Sequence, residues 1–154
     1  MKYDHTFKII AVVNVICMLM AMVSSTAWAD NNAETKPLAL RKIMQDMGEN
    51  MQVITDGISR EDWDLVAKIS PLIADHPQPP PLEKISILSF IGTDVGKFKG
   101  YDEKTHQAAQ ELRQTATSRN GSAVVSAFAT LQNSCLACHQ SFRKPFKEHF
   151  YDKR

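Results

Sequence analysis

Cys135, Cys138 and His139 stand at spacings of three and one, so on a helix all three share one face. They belong to the run Cys135-Leu136-Ala137-Cys138-His139, which reads C-x-x-C-H, the attachment signature of a c-type haem. Two thiols three residues apart can each form a thioether to a haem vinyl group. The histidine that follows is placed to ligate the iron. A helix can therefore present two thioethers and an imidazole to one haem without unwinding, and the run lies near the C-terminus inside a helical stretch.

Other uses of the pair fit less well. A redox dithiol normally follows a strand in a βαβ unit, and no strand-like run precedes Cys135. Zinc wants four ligands, and His149 is the only other ligand type nearby. Two cysteines packed in a core by coincidence is the remaining reading.

The N-terminus favours the haem. Lys2 and Lys8 make a basic start, Ile9 to Val23 is apolar apart from Asn14, and Ala27-Trp28-Ala29 supplies an A-x-A cleavage site. The apolar run is short of the roughly 20 residues a membrane-spanning helix needs. Residues 1–29 are therefore expected to be a cleaved signal peptide, with no stable membrane insertion afterwards, and residues 30–154 the working domain in the periplasm. Cys17 leaves with the signal, so both remaining cysteines lie in the motif. Without Lys2, Lys8 and Asp4, the 18 basic and 17 acidic residues become 16 of each. That balance argues against nucleic acid or an anionic membrane surface as partner.

The rest of the chain reads as helices. Thr35 is placed to cap a first helix, with Pro37 in its first turn. Leu40, Ile43, Met44, Met47, Met51, Ile54 and Ile58 give that helix one apolar face. Gly57 and Ser59 mark its end and the cap of the next. Trp63, Val66, Ile69, Leu72 and Ile73 form the second face, which Pro71 should kink or shorten. The run His76 to Pro81 makes a stiff connection. Leu82 to Phe90 could hold a short helix, and Gly92, Gly96 and Gly100 break the stretch to Tyr101. Asp102 is placed to cap a third long helix carrying Ala109, Leu112 and Ala116, closed by Asn120-Gly121. Ser122 caps the last helix, whose inward side holds Val125, Phe128, Leu131, Cys135, Cys138 and Phe142, with Pro145 as its limit. The expected fold is all-α: an antiparallel four-helix bundle with a long loop between helices two and three.

The residue opposite His139 decides what such a haem does. Met44, Met47 and Met51 are all spaced to face inward from the first helix. A methionine stripe is also ordinary adaptable packing. With a haem in the bundle, a methionine ligand is preferred, Met44 first, since His/Met is a standard pairing. His76, His106 and His149 are weaker candidates and read as solvated side chains. Arg143, four residues after His139, can reach toward a propionate or simply offset the helix dipole. Lys144 and Lys147 extend that basic end, where they could steer an acidic redox partner or be no more than a solvated helix end.

The run from Cys135 to Arg143, C-x-x-C-H-x-x-aromatic-Arg, resembles the ending of the class II cytochromes c, the cytochrome c-prime family. Met44 to Ile54 is similar to the first helix of their low-spin members and of a non-covalent b-type four-helix cytochrome. The resemblance implies one covalent haem c and makes Met44, seven residues before Met51, the sixth ligand. It implies an electron carrier exchanging single electrons with redox protein partners, not an enzyme. High-spin members lack the methionine and bind nitric oxide or carbon monoxide. That is the alternative if a group such as Leu40 sits over the iron. Peroxidase-like chemistry would need a polar distal acid–base pair, and no histidine or acid is convincingly placed for one. Family members dimerise through the first two helices, so a homodimer stays open.

Overall fold

A computed structural model describes residues 37–152. The expected signal peptide, residues 1–29, and the expected Thr35 cap lie outside the described residues. The chain forms α1 (Ala39–Ser59), α2 (Trp63–Ala74), α3 (Pro81–Ile91), a 3-10 turn (Gly92–Asp94), α4 (Val95–Thr117) and α5 (Gly121–Phe150), with no strand among the described residues. The four long helices are the expected bundle. The connection between its second and third members is more than a loop, because α3 occupies most of it. In the bundle α4 packs along both α2 and α5, and α1 packs along α2 but touches α5 only slightly.

The core is a continuous apolar cluster from four helices. Ile54 of α1, Val66 and Ile73 of α2, Leu112 and Ala116 of α4, and Val124 and Leu131 of α5 are fully buried. Each of the larger ones contributes about 1.5–3 kcal/mol by leaving water. The expected inner face of the third long helix, Ala109, Leu112 and Ala116, is correct throughout. In α5 the inward residue is Val124, and Val125 is 54% exposed. Leu72 of α2 is also exposed, whereas Ile73, expected on the same face, is buried.

Several boundaries move, each for a local reason. Pro37 precedes α1, and the N-cap residue, Leu38, has no capping side chain. The cap comes from α3 instead: the Glu83 carboxylate accepts from the Ala39 and Leu40 N–H groups at 2.7 and 2.8 Å. Helix α1 runs through Gly57, and Glu61 takes the left-handed conformation of the turn at φ 57°. Gly57 serves a different purpose. A Cβ there would lie 3.0 Å from Val66 Cγ2, so the glycine lets α1 and α2 approach. Asp62, not Ser59, caps α2, its carboxylate accepting from Leu65 N–H at 3.0 Å. Asn120 caps α5 in the same way through Ala123 N–H at 3.2 Å.

Helix α4 begins seven residues before Asp102 and passes through Gly96 and Gly100. Each interior glycine costs about 1 kcal/mol relative to alanine. Phe98 and Tyr101 offset that cost by packing their ring edges on Phe142 of α5, at centroid separations of 5.4 and 6.1 Å. Pro145 does not end α5, which continues to Phe150. Its last turns are held by an aromatic cluster in which Phe90 of α3 meets Phe146, His149 and Phe150.

Candidate functional site

Helix α5 carries Cys135, Cys138 and His139 on adjoining turns of one flank. Cys135 packs against the core cluster, and both thiols are free and half-buried. Burial pushes the Cys135 thiol up, although the Ser134 hydroxyl partly counters it. Cys138 is pushed up to about 11, first by burial, then by the negative charge of Asp102 and by Cys135. Both are therefore thiols at neutral pH. A redox dithiol needs the opposite, a thiol lowered into the neutral range. Zinc needs thiolates and further ligands. Among the described residues no group of three or more His, Cys, Asp or Glu could hold a metal ion.

His139 lies on the exposed edge of the same flank. Its imidazole is pushed below the usual range by burial and then by the Arg143 charge one turn on. It is thus neutral at pH 7, the form that ligates a metal. Arg143 is close enough for its charge to be felt at His139. Beyond His139 the wall is aromatic. Phe142 packs on Phe98 and Tyr101, Tyr101 Oη and Ser141 Oγ share a hydrogen bond at 3.1 Å, and Lys97 Nζ lies 5.8 Å from the Phe142 ring centre.

The methionines of α1 divide. Met47 and Met51 pack against the core cluster. Met44 follows the buried Ile43, turned about 100° from it on the helix, and is 38% exposed. It stands on the flank of α1, outside the core and not inward as its spacing predicts.

The three weaker histidine candidates have other partners. His149 stacks on Phe90 with centroids 4.2 Å apart. His106 of α4 reaches α2, its Nδ1 donating to the Ala74 carbonyl at 2.9 Å. His76 is not solvated: its side chain is 10% exposed. His76 Nδ1 donates to the Ile73 carbonyl at 3.1 Å, and Nε2 faces Asp102 Oδ1 at 3.4 Å. From local sequence Asp102 is expected as a helix cap and His76 as a side chain of the proline loop; in the fold the two face each other instead. Nothing local signals this pair, because its members come from different elements.

Two free thiols, a neutral imidazole on the same flank, an adjoining aromatic wall and a guanidinium one turn away are a donor set that fits a haem c. The family model described as Cytochrome C' matches residues 83–143, a span that runs from α3 through Arg143 and contains every one of those groups on α5. No curated protein matches the chain.

Proposed function

This chain belongs to the class II cytochromes c, the cytochrome c' family, and so is a haem c cytochrome; we propose that it is a periplasmic carrier of single electrons with His139 and Met44 on the two sides of the iron. The observation that carries this is the state of Met44. It is the one methionine among Met44, Met47 and Met51 that the core does not use. A thioether on a helix flank can turn toward iron without opening a cavity, whereas moving Met47 or Met51 would.

When bound, the haem supplies a one-electron couple at its iron. The chain's own residues supply the rest. Cys135 and Cys138 would hold the porphyrin by two thioethers, each thiol adding its S–H across a vinyl group. His139 gives a neutral imidazole nitrogen. Met44 gives a soft sulfur, which favours the reduced state. If His139 and Met44 both hold the iron, these ligands would stay the same in both oxidation states and the chain would rearrange little on electron exchange. Phe142, Phe98 and Tyr101 exclude water from the far end of the site. Arg143 offers a cation to a propionate. Among the described residues no helix is long and apolar enough to cross a membrane, which suits a carrier that moves between redox protein partners after export.

Carbon monoxide tests the reading. The dithionite-reduced holoprotein should keep its Soret band when the gas is added, and Met44→Ala should form the carbonyl adduct at once. An adduct in the unaltered protein would put the chain with the five-coordinate, gas-binding members. Haem released by acid–acetone extraction would sink the thioether claim.

A further inference from the structure

The His76–Asp102 pair lies outside the ligand set yet within electrostatic reach of it. His76 follows the end of α2, and its Nδ1–H is committed to the Ile73 carbonyl at 3.1 Å. The neutral ring therefore carries its lone pair on Nε2, facing the Asp102 carboxylate at 3.4 Å. A lone pair opposite a carboxylate is unfavourable, and a proton on Nε2 turns that contact into a charge-assisted hydrogen bond. The Asp102 charge also reaches across to α5, where it helps push up the thiol of Cys138, a proposed haem anchor.

We infer that the protein takes up a proton at His76 Nε2 when an electron reaches its haem, and releases it when the electron leaves. The inference rests on the electron-transfer reading, but it requires no particular sixth ligand. The exchange balances: a one-electron donor protein supplies the electron that takes ferric iron to ferrous, and solvent supplies the proton that takes the imidazole to imidazolium. Reduction removes one positive charge from the haem, so a cation nearby becomes easier to form. By linkage, protonating His76 must favour the reduced haem to the same degree. Access is provided by Asp102, whose carboxylate is 52% exposed while the imidazole behind it is nearly covered.

The surrounding groups favour the charged form of both partners. Asp102 and the Ile73 carbonyl raise His76 against the opposing effect of burial, and Asp75, just past the end of α2, raises it further. Asp102 is held below the usual carboxylate range chiefly by His76, with smaller contributions from His106 of α4 and Lys84 of α3. From α5 the group facing Asp102 is Cys138. His76 therefore changes charge at a higher pH than an ordinary imidazole, with Asp102 as the first cause.

Mediated redox titration of the holoprotein from about pH 5 to 9 tests this around the histidine range. The midpoint potential should fall as pH rises through the His76 range. His76→Gln should lose that pH-dependent segment, Asp102→Asn should move it to lower pH, and His106→Gln should leave it in place. A segment that survives His76→Gln, stays put in Asp102→Asn, or vanishes in His106→Gln overturns the assignment. Should a variant fail to fold, the His76 ring resonances of the unaltered protein are followed against pH in both oxidation states. The reduced form should show the higher pKa, and equal values overturn the inference. The carbon monoxide experiment on the same samples reports the sixth ligand separately, so the two readings fail independently.

Discussion

Glu83 closes the N-terminus of α1 from 44 residues away, its two carboxylate oxygens accepting from Ala39 and Leu40 N–H at 2.7 and 2.8 Å. The helix that bears Met44 thus has its starting point set by α3. No local side chain competes for these N–H groups, since Leu38 stands at the cap position. Replacing Glu83 with Ala leaves both without a protein partner and removes a negative charge from the positive end of the helix dipole. Urea unfolding of Glu83→Ala should show a loss of about 1–2 kcal/mol. An unchanged midpoint would mean that water replaces the cap at no cost.

Gly48 and Gly57 sit in one helix and should respond to alanine with opposite signs. A Cβ at Gly48 meets nothing within 4 Å, so Gly48→Ala should stabilise by about 0.5–1 kcal/mol through helix propensity alone. A Cβ at Gly57 meets Val66 Cγ2 at 3.0 Å, and Val66 is fully buried with no room to yield. Gly57→Ala should therefore destabilise, by about 1 kcal/mol after the propensity gain is deducted from an overpacking cost of about 1–3 kcal/mol. Thermal unfolding of the two variants side by side decides it.

Met44 and Met47 should separate stability from spectrum. Met47 packs on the core cluster, so Met47→Ala should cost roughly 1–3 kcal/mol and leave the low-spin spectrum intact. Met44→Ala should cost the apoprotein little and convert the holoprotein to high spin. Urea unfolding of the apo forms, with visible spectra of the holo forms, checks both. Low-spin Met44→Ala would move the assignment to another residue.

The His76–Asp102 pair also makes stability depend on pH, with a definite sign at each end. His76 is raised in the folded protein, so its contribution is complete below the unfolded histidine value and disappears as pH rises through the folded one. Asp102 is lowered, so its contribution is complete above the unfolded carboxylate value and disappears as pH falls through the folded one. The difference in thermal midpoint between the unaltered protein and His76→Gln should be greatest between those limits, in weakly acidic solution, and should shrink toward both extremes. A difference constant across pH would mean that the pair contributes only by packing.

The sequence disclosed what is written within one helical turn. Cys135, Cys138 and His139 lie on one flank because spacing alone decides it, and Ala109, Leu112 and Ala116 are inward for the same reason. Val124 and Val125 show where that logic loses resolution. Two adjacent valines fit an apolar face equally, and the choice depends on how α5 is rotated against α4. Met44 is similar, since the spacing that places Met47 and Met51 inward carries it only to the edge. Gly96, Gly100 and Pro145 are breaks by local rules, yet contacts from Phe98, Tyr101 and Phe146 outweigh each local cost. Asp102 looked like a cap and instead meets His76, a relationship that exists only once α2 and α4 are packed.

Trp63 begins α2, and its ring lies 3.3 Å from where a Cβ on Gly121 would stand at the beginning of α5. The chain holds two tryptophans, and the other, Trp28, precedes residue 30. Residues 30–154 thus carry a single tryptophan, seated at the joint between the second helix and the helix that bears the haem motif. Its emission is an internal gauge of whether that joint is closed, readable in every variant above without adding a label.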